Sequence, residues 1–499
     1  MPSLPAEVAH RILATNSLNR RDLLSTCLAS KYLYSLAIRL LWAQHQSNIA
    51  PLIMLLGCDC GSQPSERPKC LQCSSELDSL HVHAQFMAKL HVIDSDIPLI
   101  AALLQVTARP LCPNISNLTV NARGEKLDFT PFCSLLRHSP LTHIIIRSSP
   151  HNSSQFSKAF DGILQLRRDH IQFLDMTLAH LEKPIWLDSF SALSQLKLET
   201  VNVPGISFYR MLSKCPQLDG LTLRLVDSFV EEKFLEEGLI MDLSTLTELK
   251  IFDFTEDVTV NVFSVVSFSK LLALHISLPQ PPTSTALLDI FDALAQTSRM
   301  LKSLSVDVGE VIDYGEFGDG YSDEAVSYDT LSPLLALTGL EEFSLTPNIA
   351  CDGFSDGQLK MLATAWPNLR HFAITGEFFR IPRPIATSAS IQCFLHTCPN
   401  LQSLCYPHIA SHIELSPASP HQPFPNITSI GRIYGHRHMK SLISWMSSCL
   451  PNLLILSIDS RLEGVVERDC IWGRAQLKFE SDVLDGIEDE EDGEEAESG

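Results

Sequence analysis

The chain has 499 residues, of which 45% are apolar, with a mean hydropathy of +0.10; that balance excludes a chain too polar to bury a core. Its net charge is −21, and eleven of its acids, with no Lys or Arg among them, fall in residues 480–499, so the remainder carries −10 (47 acids against 37 bases), which speaks against a nucleic-acid footprint. No run approaches the ~18 apolar residues of a membrane span.

The chain opens on a stretch that reads as three short helices. Pro5 suits a first helical position, where a missing N–H costs nothing. Glu7 follows in the first turn, where a carboxylate meets the positive end of the helix dipole. Val8 and Ile12 share one face, with Leu13 beside them. Asn19 or Asp22 can cap a second helix carrying Leu23, Leu24, Cys27 and Leu28. Ser30 can cap a third, in which Leu33, Leu36, Ala37, Leu40 and Leu41 recur at helical spacing. So many apolar residues on so small a bundle predict that part of its surface meets another protein.

The order Leu4-Pro5-x-Glu7-Val8, Ile12-Leu13, Asp22-Leu23-Leu24, Ser30-Lys31, Leu36-Ala37 and Leu41-Trp42 resembles an F-box. It departs from that pattern at Asn16, where a Leu is usual, and at Asp22, which comes two residues late. The resemblance implies docking on a Skp-type adaptor through Leu4, Pro5, Val8, Ile12 and Leu24, and through the adaptor on a cullin scaffold.

Residues 46–109 are expected to hold a connecting helix, a loop and the cap of the domain that follows. The loop, residues 57–76, is rich in Gly, Ser and Pro and carries Cys58, Cys60, Cys70 and Cys73. Four thiolates suit tetrahedral zinc, although the C-x-C half is tighter than structural zinc sites prefer; free loop thiols are the plainer reading. Fourteen cysteines without an export signal at the N-terminus are expected to be reduced, in the cytoplasm or nucleus, and mostly buried as small hydrophobes. His81-Val82-His83 and Leu90-His91-Val92 are expected as strands, with a helix near Ile97–Val106.

From about residue 110 one phrase recurs twelve times: apolar, two residues, apolar, one residue, apolar. It runs from Ile115/Leu118/Val120 through Leu193/Leu196/Leu198 and Leu301/Leu304/Val306 to Leu453/Leu456/Ile458. Several copies share a lead-in, such as Cys112-Pro-Asn, Cys398-Pro-Asn and Leu450-Pro-Asn, whose proline ends the preceding helix. The second and third apolar residues point to one side of a short strand. Between copies lie helical stretches, among them Gly205–Lys214, Leu287–Ser298 and Gln358–Ala365. Strand, turn and helix, repeated, predict a solenoid with one continuous core. The phrase resembles leucine-rich repeats, with looser spacing than usual and mostly without the Asn or Cys that normally comes three residues after the third apolar position; Arg123, Val201 and Val226 stand there instead.

The expected architecture is therefore α/β: an F-box over 1–45, the connecting segment and cap over 46–109, an irregular leucine-rich-repeat-like horseshoe with a parallel sheet over 110–479, and a disordered acidic tail over 480–499. An acidic insertion within residues 309–329 lacks the carboxylate spacing of a calcium loop. No nucleophile elbow, Walker loop, zinc-protease motif or dinucleotide fingerprint occurs, so no enzyme chemistry is expected.

Together the two resemblances imply the substrate receptor of a Skp–cullin–F-box ubiquitin ligase. The alternative is a repeat scaffold acting outside any ligase. Target binding is expected on the strand residues between the buried apolar pairs, with Lys197, Thr222 and Lys250 as the residues to test. In that row only Lys197 and Lys250 carry fixed positive charge, so a clustered basic pocket is not expected.

Overall fold

The computed structural model describes residues 20–29, 37–42, 81–106, 111–122, 138–148, 167–178, 190–200, 206–225, 241–280, 282–308, 326–345, 353–374, 386–409, 423–434, 449–459 and 476–480, with residues 136, 164, 442, 445 and 446 singly. Two compact units divide the chain, Met1–Glu237 and Gly238–Gly499.

In the first unit the helix Arg20–Ala29 matches the second expected helix. Its Leu23 packs in one buried cluster with Ala37, Leu40 and Leu41 of the third, with Ile38 alongside. His81-Val82-His83, expected as a strand, are helical, within residues 81–84. Trp42 meets His83 edge-on at 5.6 Å, and the Arg39 guanidinium lies 5.1 Å from the centre of the Phe86 ring. Packing against that helical neighbour outweighs an alternation only three residues long.

Six parallel strands follow in chain order: β1 (Lys89–Ile93), β2 (Asn117–Ala122), β3 (His143–Ser148), β4 (Phe173–Leu178), β5 (Gln195–Thr200) and β6 (Gly220–Leu225). They stay in register repeat by repeat: Leu90, Leu118, Ile144, Leu174, Leu196 and Leu221 form one row. All six are buried, so one face of the sheet is core. β1 is an extra copy of the phrase, Met87/Leu90/Val92, lying in the stretch expected to form the cap. The helices Asp96–Val106 and Ile206–Leu212 lie where they were expected.

The second unit repeats the plan. Its sheet holds β8 (Glu248–Phe252), β10 (Ala273–Leu278), β11 (Ser303–Val308), β12 (Glu342–Leu345), β13 (His371–Ile374), β14 (Ser403–Ile409), β15 (Ser429–Tyr434), β16 (Ile455–Asp459) and β17 (Gln476–Glu480), all parallel and in chain order. A separate short ladder joins β7 (Met241–Asp242) to β9 (Val266–Ser267). Pro407 lies inside β14 and has no N–H to give the ladder, and the register shifts there, between Cys405 and His408. One step on, Gly431 leaves room for the Cys405 sulfur, which a Cβ there would approach to 2.9 Å.

Helices close the repeats, and their boundaries follow from caps. Thr283 caps Ser284–Thr297 by accepting from the Ala286 N–H, and Leu287, Ile290, Phe291 and Leu294 supply its buried face. Ser355 and Gln358 form a capping box at the start of Asp356–Ala365, which ends just before Trp366-Pro367. Glu256–Val265 and Ser388–Thr397 complete the set beside the short turn Tyr328–Leu331. Neighbouring rings of Phe343, Trp366, Phe372, Phe394 and Tyr406 fill the core there, at centroid distances from 5.0 to 6.5 Å.

Candidate protein-binding face

The lead-in residues do more than end helices. Asn114 donates to the Gln85 carbonyl, Asn426 to that of Pro399 and Asn452 to that of Pro425, at 2.6 to 3.0 Å. In each case the acceptor stands two residues ahead of the previous copy of the phrase, so these asparagines tie one repeat to the one before. The Asn missing from the end of the phrase thus has a counterpart at its beginning.

The cysteines that begin lead-ins of this kind, Cys112, Cys215 and Cys398, are buried. Burial pushes the Cys112 thiol up to about 12. Burial and the neighbouring Cys393 do the same for Cys398, also to about 12. These are packed, protonated thiols.

A second tie joins helices of the second unit. The Glu256 carboxylate accepts from the Thr283 N–H at 2.7 Å and lies 3.3 Å from the Thr283 hydroxyl. Asp356 repeats the device on Thr387, with N–H and hydroxyl bonds both of 2.7 Å. Each acid opens one helix and holds the N-cap residue of the helix that follows.

With helices and apolar rows committed to the core, the other side of each sheet carries the polar chemistry. Alternation along β1–β6 places His91, Thr119, Ile145, Asp175, Lys197 and Thr222 in one registered row. Lys197 and Thr222, both predicted from the sequence, are direct cross-strand neighbours. Asp175 departs from the expectation that this row is open. Its side chain is 6% exposed, because Arg147 and Lys197 approach from either side at 3.7 and 3.6 Å. Burial raises the Asp175 carboxyl above its ordinary range; Lys197 and Arg147 oppose that, while Glu199 adds to it. Beside it, Thr177 donates to Glu199 at 3.0 Å. At the starts of β3 and β4 the His143 and Phe173 rings stack at 5.8 Å.

Arg147 is the residue that reading the middle row alone misses. It stands two residues beyond Ile145, on the same side of its strand, with its side chain 57% exposed. Arg147 and Lys197 therefore meet on one carboxylate, a pairing that the middle row by itself does not display. Alternation along each whole strand would have found Arg147.

In the second unit, Lys250 lies in register with His275, and it pairs with Glu248 at 2.7 Å. His275 stands 3.7 Å from Asp307 and packs against Phe252 at 5.1 Å. The predicted adaptor residues Leu4, Pro5, Val8 and Ile12 lie outside the described residues, as does the side chain of Leu24. Cys58, Cys60, Cys70 and Cys73 lie outside them too, as does residue 481 onward. Among the described residues no three His, Cys, Asp or Glu side chains are placed to hold a metal.

No protein-family model and no curated protein matches the chain. Among solved structures it is similar to the Rad7 and Elc1 complex in yeast, at 11% identity over 86% of this chain and 92% of that one, with a TM-score of 0.36. A likeness that distant carries no argument about this chain.

Proposed function

We propose that this protein is the substrate-recognition subunit of a Skp–cullin–F-box ubiquitin ligase. The observation that carries the reading is the pairing of two parts. One is an N-terminal helical stretch with the F-box order of residues, of which Leu23, Ala37, Leu40 and Leu41 form a buried cluster. The other is a sheet that takes one strand from each repeat and turns one of its sides outward.

Such a receptor performs no bond chemistry. Leu4, Pro5, Val8, Ile12 and Leu24 dock on the Skp-type adaptor, which hangs on the cullin, while the repeat sheet holds the target beside the ubiquitin-charged enzyme. Its contribution to rate is proximity. The protein works in the cytoplasm or nucleus.

The test is co-purification of the Skp-type adaptor and a cullin with the tagged full chain. Leu4→Ala with Pro5→Ala is expected to abolish it, since buried apolar anchors cost more than ~2 kcal/mol when truncated. Undiminished recovery with the double variant contradicts the F-box reading. Recovery of target proteins with neither adaptor nor cullin instead identifies a scaffold outside the ligase.

A further inference from the structure

The outward face of the first unit has a charge opposite to that of the chain. Along β1–β6 its charged residues are Lys89, Arg147, Lys197 and Arg224 against Asp175 and Glu199. Of the two acids, Asp175 is buried while Arg147, Lys89 and Arg224 are exposed. The corresponding positions of β8–β14 carry Lys250 alone against Glu248, Asp307 and Glu342. In a protein of net charge −21, an outward sheet face with more cations than acids is a surface where a negative partner gains.

We propose that this face binds an acidic, extended segment of a partner protein, whose carboxylates pair with Arg147, Lys197 and Arg224. The proposal rests on the reading that the repeat sheet captures protein, and it names what is captured. The geometry suits an extended chain crossing the strands. Arg147 and Lys197 stand two strands apart, roughly 10 Å at a strand spacing of ~4.8 Å, a span that about three extended residues cover. Ile145, in the registered row, and the stacked His143–Phe173 pair offer an apolar seat between and beside the charges. Asp175 holds the two cations toward each other before the partner arrives, so less ordering is left for binding. Nucleic acid is disfavoured as the occupant by the negative charge of the rest of the chain.

The experiment is a fluorescence-anisotropy titration of the purified full chain with three labelled probes: an extended peptide with Glu spaced about three residues apart, the same peptide with Gln for Glu, and a single-stranded DNA oligonucleotide. The Glu peptide is expected to bind about tenfold or more tighter than the Gln peptide, and to weaken as salt is raised. Arg147→Gln with Lys197→Gln should remove that preference, and Lys360→Gln, on the exposed side of the helix Asp356–Ala365, should leave it intact. The double variant strands a buried Asp175, so a triple variant adding Asp175→Asn removes both cations and their acid together; it should fold and show the same loss. Equal binding of the Glu and Gln peptides, full retention by the triple variant, or tighter binding of the oligonucleotide overturns the proposal. So does about a tenfold gain in peptide affinity on deleting residues 481–499, which would make the chain's own acids the occupant. Adaptor co-purification is scored on the same preparations: its retention with loss of peptide binding separates failure of this proposal from failure of the ligase reading.

Discussion

Asp175 holds a carboxyl under Arg147 and Lys197 with 6% of its side chain exposed, and burial there outweighs both cations. The sign follows from the raised folded value. Between the unfolded carboxyl's pKa of about 3.9 and that higher value, the folded state holds the proton more tightly, so stability falls as pH rises across the window and is level above it. Asp175→Asn removes the cost of ionisation. It is expected to be neutral or to stabilise by about 1 kcal/mol at neutral pH, with the gap to wild type closing as pH falls toward about 4, read by denaturant unfolding. Lys197→Gln takes away a cation and leaves the carboxylate, so it should cost about 1–3 kcal/mol at neutral pH. A clear loss of stability in Asp175→Asn that persists at every pH would contradict this balance. At this scale the sequence was partly legible. Alternation put Asp175 and Lys197 on the outward side, but cover over Asp175 comes from Arg147 and Lys197 on the repeats before and after it. Which side chains lean together across strands depends on register that no single copy displays.

The lead-in thiols give a second test at the same scale. Cys112 and Cys398 are buried with their pKa values pushed up to about 12, so alkylating reagents at neutral pH should leave both unmodified in the native protein and modify both in denaturant. Peptide mapping by mass spectrometry reads the result.

Between one element and the next, the side-chain ties are the new feature. Glu256 and Asp356 each open one helix and hold the N-cap threonine of the next. Asp356→Ala removes two 2.7 Å bonds and exposes the cap, and is expected to cost about 1–2 kcal/mol in denaturant unfolding. Thr387→Ala should cost a similar amount, and the double variant clearly less than the sum, because both remove one interaction. Additive losses would show that the two residues act separately. Element existence was readable: the recurring phrase located strands β2 to β6, and the helices fell between copies. β1 was expected as a strand, at Leu90-His91-Val92, but not as a copy of the phrase. The short strands β7 and β9 escaped, and so did β15 and β17. In β15 the third position of the phrase is Arg432 instead of an apolar residue, and in β17 the first is Arg474. The ties also escaped, because Glu256 and Thr283 are 27 residues apart and nothing local marks the pair.

For the molecule as a whole, repetition explains why a weak local signal gives a definite fold. Each strand buries its apolar row only because the next repeat supplies another in register, so the core is shared along each unit. The same regularity gathers the outward residues of successive repeats onto a common face, and there the first unit carries more cations than acids although the chain as a whole is acidic. The N-terminal stretch is the other half of the account, and its docking residues were legible only as a pattern, since a partner, not this chain's own core, is what those side chains are proposed to meet.

The most direct test is size-exclusion chromatography with light scattering on the purified full chain mixed with a Skp-type adaptor. The account predicts that the 55.4 kDa chain and the adaptor elute together as a one-to-one complex, and that the Leu4→Ala, Pro5→Ala variant, with unchanged circular dichroism, elutes apart from it. Separate elution of the wild-type chain and adaptor at concentrations well above micromolar would contradict it.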